Sequence, residues 1–259
     1  MKIGFCVGTD ANKVKQLAQH GYDHYEASFS GIVQMEESEF MAFSRETEKS
    51  GIPGLCTNVM FPKNMFLHQG IGDEQIKAYA ARGMERMAAL GGKVAVLGSG
   101  KFRDIPEGCD RALARKRFLE AVRICADEAW KHGITVTIEP LSQRETNFIH
   151  TLEDGANICR ETGRENVCLL ADFYHMYMNG DAFSNLETYG SLLKHLHIAR
   201  LNPDRGAPAA EDVEAFRPVA QLLRKIGYCG ALSVEYKSQL DFAEILENFL
   251  PVAELFREV

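Results

Sequence analysis

The chain has 259 residues, 46% of them apolar, and 36 Asp and Glu outnumber 29 Lys and Arg to give a net charge of −7. Such a balance belongs to a globular protein in water and argues against a sequence-independent nucleic-acid binder, which needs a basic face. No apolar run approaches the roughly 20 residues that span a bilayer, and the opening MKIGFCVGTD turns polar too early for a signal peptide, so no membrane association and a cytoplasmic location are expected. The seven cysteines are scattered, odd in number and form no CxxC pair, which speaks against a disulfide framework or a zinc-thiolate site.

Eight β-rich runs recur along the chain: KIGFCVG, DHYEAS, PGLCTNV, KVAVLGS, ITVTIEP, NVCLLADF, LKHLHIA and ALSVEY. Between them lie stretches with helical spacing. After the first run, Val14, Leu17 and Ala18 make one stripe; further on, Ile76, Tyr79, Ala80, Met84, Met87 and Ala88 make another. Phe118, Val122, Cys125 and Ala126 share a third, and LDFAEILENFLPVAELFREV closes the chain with Pro251 bending or restarting the helix. Gly21, Gly51, Gly91, Gly133, Gly163 and Gly227 stand where C-caps are expected, and Asp73, Thr151 and Asp241 where N-caps are. Alternating β and α units imply a parallel sheet, and eight of them in this length match a single (β/α)8 barrel domain over residues 1–259. The competing doubly wound sheet lacks its Gly-rich turn, because the first run ends VGTDAN.

In such a barrel the chemistry sits at the C-terminal ends of the strands. Here the fifth run ends in Glu139, the sixth in Asp172 and the eighth in Glu235, while the seventh carries His197. Alternation puts Thr137 with Glu139, Leu170 with Asp172, His195 with His197 and Ser233 with Glu235 on one face. If that face points inward, three carboxylates and an imidazole converge, and the carboxylates require a counter-charge. One divalent metal ion supplies it. The oxygen-rich donor set favours Mn²⁺, with Mg²⁺, Co²⁺ or Zn²⁺ as alternatives. Each residue taken singly has a plainer role: a loop Glu, an N-capping Asp, core histidines, a Glu paired with Lys237. Glu26 ends the second run as a sugar-binding carboxylate or a helix cap, and Asn58 ends the third as a pocket amide or a turn former. His68 lies in a loop with Phe61 and Phe66 that forms either a lid or a surface loop. His20, His24, His132 and His150 sit on or beside helical stretches, and Arg103 either supports Glu139 or packs structurally.

The segments LGSGKFRDIPEG, IEPLSQRETNFI, ADFYHM and HLHIARLNPDRGAP resemble the sugar phosphate isomerase/epimerase superfamily, the xylose isomerase-like barrels, over essentially the whole chain. The pattern is most similar to ketose 3-epimerases of the tagatose/allulose type. The resemblance implies that Glu139, Asp172, His197 and Glu235 are the metal ligands and that Glu139 and Glu235 are also the catalytic pair. It further implies that Glu145, His175 and Arg205 contact the substrate, Arg200 competing with Arg205 because the spacing from His197 is longer than in the epimerases. The implied protein is an isomerase acting on a small sugar or polyol through a metal-stabilised enediolate, as a homodimer or homotetramer. The alternatives are an aldose–ketose isomerase such as hydroxypyruvate isomerase, a dehydratase of the inosose or dehydroshikimate type, an endonuclease IV-like nuclease and a sugar-binding barrel without catalysis.

Overall fold

The computed structural model describes residues 1–259. Its eight strands are β1 (Lys2–Gly8), β2 (His24–Ser28), β3 (Cys56–Asn58), β4 (Val94–Leu97), β5 (Thr135–Ile138), β6 (Val167–Asp172), β7 (Leu193–Ile198) and β8 (Ala231–Val234). Each pairs in parallel with the next, and β8 pairs with β1, so the sheet closes into a barrel in sequence order. All eight expected runs are therefore strands of a (β/α)8 barrel.

The pleat explains what each strand presents to either side. In β1, Phe5 points outward and meets Tyr22, Phe242 and Phe249 edge-on. Gly4 points inward, where an added Cβ would overlap the ring of His24. In β2, Tyr25 packs outward on Phe43, while His24 and Glu26 turn into the barrel. His24 is thus the first residue of β2, turned into the barrel, which corrects its placement beside a helix: it belongs to the run DHYEAS rather than to the end of α1.

The helices are α1 (Ala11–Gln19), α2 (Phe29–Gln34), α3 (Glu37–Glu48), α4 (Asp73–Ala89), α5 (Gly100–Arg103), α6 (Arg111–Trp130), α7 (Leu152–Thr162), α8 (Phe173–Asn179), α9 (Asn185–Tyr189), α10 (Val213–Lys225) and α11 (Phe242–Arg257). They ring the barrel and bury the expected stripes: Val14 and Leu17; Ile76, Met84 and Met87; Phe118, Val122 and Cys125. The six expected C-cap glycines all have positive φ, the backbone region where a Cβ is strained. Thr151 and Asp241 cap their helices as expected. Asp73 does not: Gly72 is the N-cap, closed by the Gln75 side chain, and Asp73 is freed to pair with Arg117. Nor does Pro251 interrupt α11. It stands on the exposed face of the helix, as does Glu247 four residues earlier, whose carbonyl loses its backbone donor. No helix is long and apolar enough to cross a membrane, and all seven cysteines are unpaired.

Candidate metal and substrate site

At the C-terminal mouth, Glu139, Asp172, His197 and Glu235 bring one ligand atom each within 4.8 Å of one another. Register accounts for the meeting. Asp172 is the pairing partner of His197, and His197 that of Ser233, two residues before Glu235. Asp172 serves two ends: Oδ1 accepts from the Tyr174 N–H at 2.8 Å and caps α8, while Oδ2 accepts from Arg205 Nη2. The plain N-cap and the candidate ligand are thus one residue.

Three carboxylates at this spacing need positive charge nearby. Arg205 supplies part of it, with Nη2 at 2.8 Å from Asp172 and 2.5 Å from Glu235 and Nη1 at 3.3 Å from Glu145. Its guanidinium also lies 4.8 Å from the Tyr174 ring centroid. Arg205 adopts φ +55°, a left-handed backbone uncommon for a residue with a Cβ. Arg200, the competing candidate, pairs with Glu211 and Asp212 instead. Burial opposes the charge of Glu235, yet Arg205 and His197 outweigh it and hold that carboxyl below the ordinary range. Glu139 moves the other way: burial raises it, against the pull of His197.

A second polar layer lies beneath. His197 Nδ1 faces Glu139 at 3.1 Å, and its Nε2 faces Glu26 Oε1 at 3.1 Å. The other oxygen of Glu26 meets His195 Nε2 at 2.8 Å, and His195 Nδ1 lies 3.6 Å from the Cys56 sulfur. Burial disfavours the charge on Glu26, but His197 and His195 hold its carboxyl well below the usual range. A carboxylate there accepts an N–H from each ring. That fixes His197 with its proton on Nε2 and leaves Nδ1 free to ligate. Glu26 is fully buried, so it is neither the sugar-binding carboxylate nor the helix cap expected of it. Alternation gave its side of the sheet correctly, but its depth placed it under His197 rather than at the mouth.

Asn58 departs from expectation in a similar way. Its Nδ2 donates to Glu235 Oε1 at 2.7 Å, so this amide aims a candidate ligand instead of lining the cavity. His68 lies one groove over, beside Phe66, Arg144 and Glu145, and outside the cavity that holds Glu139 and Glu235. In the same β3–α4 loop Phe61 stacks on Phe102 at 3.7 Å. Glu145, His175 and Arg205 do line the cavity, whose volume is about 360 Å³. His175 Nδ1 accepts the Ser142 N–H at 3.1 Å, so the proton of a neutral ring sits on Nε2. That nitrogen, on a residue that lines the cavity, is buried, makes no hydrogen bond and lies 3.4 Å from Asp172 Oδ2.

Two supports hold Glu139. Arg103 is fully buried and donates to the Glu139 carbonyl at 2.9 Å, which makes it a main-chain support for the candidate ligand. Burial brings its guanidinium down to about 10, still charged at neutral pH. Gly98, at the end of β4, leaves the space that the Glu139 carboxylate fills, since any Cβ there would overlap Oε2. Gly98 was not picked out individually in the sequence; the only hint was its place in LGSG directly after a strand.

The donor set fits a divalent cation. Three carboxylates and one imidazole, oriented from below and surplus in negative charge, suit a hard ion with oxygen preference. A family model described as xylose isomerase-like TIM barrel matches residues 14–255. The chain belongs to the xylose isomerase-like TIM barrel family. Within it, the chain is 30% identical over 249 residues to 3-dehydro-D-guloside 4-epimerase of Escherichia coli K12, covering 91% of this chain and 92% of that one. A putative hydroxypyruvate isomerase of Xenopus laevis is 31% identical over 145 residues, 53% of this chain, and the chain spans only 52% of that relative's length. A crystal structure of D-psicose 3-epimerase in the presence of D-fructose aligns with TM-score 0.84 over 100% of this chain and 99% of that chain. At 21% identity that likeness speaks for the barrel alone.

Proposed function

We propose that this chain is a divalent-metal-dependent sugar epimerase or isomerase, of the ketose 3-epimerase type, in which Glu139 and Glu235 carry the proton. The observation that carries the reading is the set of four ligand atoms within 4.8 Å at the barrel mouth, with an acid–base pair drawn from β5 and β8. The names of its relatives, an epimerase and a putative isomerase, support it.

Glu139, Asp172, His197 through Nδ1, and Glu235 would hold the cation. Bound there, the ion would polarise a substrate carbonyl and offset the negative charge that develops on proton loss. The rest falls to the side chains. One glutamate takes the proton from the carbon beside the carbonyl, and the other returns a proton to the opposite face, which inverts that carbon. Arg205 draws the Glu235 oxygen toward Asp172 and Glu145 and so sets the angle from which Glu235 reaches the substrate. The Nε2–H of His175 donates to a substrate oxygen, and Arg103 keeps the Glu139 main chain fixed while its carboxylate works.

The test is deuterium wash-in. Mn²⁺-loaded protein is incubated with a panel of ketoses in D₂O, and label position and product are read by mass and NMR. Label at carbon 3 with a new epimer is expected. Label at carbon 1 or 2 would assign an aldose–ketose isomerase, and loss of water a dehydratase. Glu139→Gln and Glu235→Gln should each cost at least about 100-fold in exchange. Exchange that survives both substitutions would overturn the proposal.

A further inference from the structure

The cavity above the two glutamates is ringed with cations. Five of its 16 lining residues are Lys or Arg, namely Lys63, Lys101, Arg144, Arg205 and Lys237. In the chain as a whole the figure is 29 in 259, so five in 16 is nearly a threefold enrichment. They come from the connections after β3, β4, β5, β7 and β8, Lys101 from the short helix α5. No segment of sequence clusters them; closure of the barrel does.

Internal pairing leaves most of this charge unspent. Arg205 is engaged by Asp172, Glu235 and Glu145. Lys101 reaches Asp104 at 3.1 Å from a side chain that is 63% exposed, a solvated pair of little strength. Lys63, Arg144 and Lys237 form no ion pair. The backbone beneath two of them is fixed: the Lys237 N–H donates to the Arg205 carbonyl at 2.8 Å, and beside Arg144 the Gln143 N–H donates to Asn179 at 3.1 Å.

The inner charges balance by themselves. The three candidate ligand carboxylates are offset by a divalent cation and Arg205, and Glu145 is the one acidic lining residue left over. The rim is therefore positive on a chain of net −7, a local field opposed to the bulk one. Nor does the wall offer a neutral sugar an aromatic face. Its Phe61 and Phe102 are each 1% exposed and stack on one another at 3.7 Å.

We propose that the substrate of this site is an anionic sugar, carrying a carboxylate or phosphate at the end remote from the reacting carbons, and that Lys63, Arg144 and Lys237 receive that anion. The proposal rests on the epimerase or isomerase reading and narrows it to a substrate class. Charge complementarity at a cavity mouth raises the encounter rate and selects one end of the substrate, so that the carbonyl end enters first.

The test uses three ligands with one skeleton, D-fructose, D-fructuronate and D-fructose 6-phosphate, which differ only at carbon 6. Each is titrated calorimetrically into the Mn²⁺-loaded protein. At least one anionic ligand should bind about tenfold or more tightly than D-fructose, with the gap shrinking as NaCl is added. Whichever anion binds better decides between carboxylate and phosphate. The gap should close in the Lys63→Ala/Arg144→Ala/Lys237→Ala protein. All three positions are exposed, so that protein should fold and hold Mn²⁺ as before. Equal affinity for the three ligands, failure of all three included, or a gap that survives the triple substitution, overturns the proposal. Deuterium exchange on the same samples separates the two readings. Exchange without a charge preference leaves the epimerase standing and removes the anion; a charge preference without exchange does the reverse.

Discussion

Glu26 holds two imidazoles at once, and a carboxamide cannot. In Glu26→Gln one amide oxygen can accept from His197 or His195, but the amide N–H₂ then faces the other ring's N–H, donor against donor. One ring must change tautomer or turn away. Mn²⁺ affinity should fall about 10- to 100-fold by calorimetry, and the nitrogen shifts of His197 should report an altered tautomer. Unchanged affinity with an unchanged tautomer would remove Glu26 from the site's support. At this scale the sequence was legible where chemistry and strand end coincide, as at Glu139, Asp172, His197 and Glu235, which the barrel does bring together. It was not legible where depth decides. Asn58 and the candidate ligands lie at or within one residue of a strand end, whereas Glu26 sits mid-strand in β2, and sequence alone does not set where a strand stops and so which side chain lies under the site rather than in it. His68 failed for another reason: a 14-residue connection between Asn58 and Asp73 carries no periodic signal to say which side of it faces the cavity.

The elements were read best where the pattern is long. Strands such as KIGFCVG and helices such as α4 and α6 repeat their period enough times to be unambiguous. The short helices α2, α5, α8 and α9 have no such run. They arise from capping and packing, as when Asp172 starts α8 and Phe173 anchors it against Phe183, Phe216 and Phe256. Helix α4 offers a test of packing against propensity. Gly83 is interior to it and buried, and a Cβ there would overlap the Phe29 ring of α2. Alanine should favour the helix by about 1 kcal/mol, yet overpacking at such a site costs about 1–3 kcal/mol. With a rigid ring as the neighbour, the second effect is expected to win. Gly83→Ala should lower the urea midpoint with little change in slope; a raised midpoint would mean that α2 yields more easily than its burial implies.

At the scale of the whole molecule, the barrel interior is polar, and this couples stability to pH. Burial, helped by His195, lowers the His24 imidazole from 6.5 to about 3. Between those values the unfolded chain binds a proton that the folded one refuses, so stability is full above about pH 6.5 and is lost as pH falls toward 3. From pH 7 to 5 the loss is about 2 kcal/mol. Denaturant unfolding of metal-free protein should show it, and His24→Gln should flatten the difference between the two pH values. His197 does not confuse the reading. Glu26 and Glu139 overcome its burial and raise it well above its ordinary value, so its contribution is lost as pH rises through that higher value, in a separate window. The closed barrel was legible because eight β/α alternations in this length admit few other closures. The cationic rim was not, because its residues lie scattered from 63 to 237.

The order of the strands also divides labour between the two halves of the chain. Every candidate ligand lies at or within one residue of the end of a strand from β5 to β8, whereas β1 to β4 and their connections contribute Glu26, Asn58, Gly98, Lys63 and Lys101. The ligands thus come from one half, while the side chains proposed to receive the anion are split, Lys63 from the first half and Arg144 and Lys237 from the second. A lineage built on this plan cannot trade one half for a new sugar, and mutations selected for a new substrate should collect in loops of both halves, around residues 63, 144 and 237, while the four candidate ligands stay fixed.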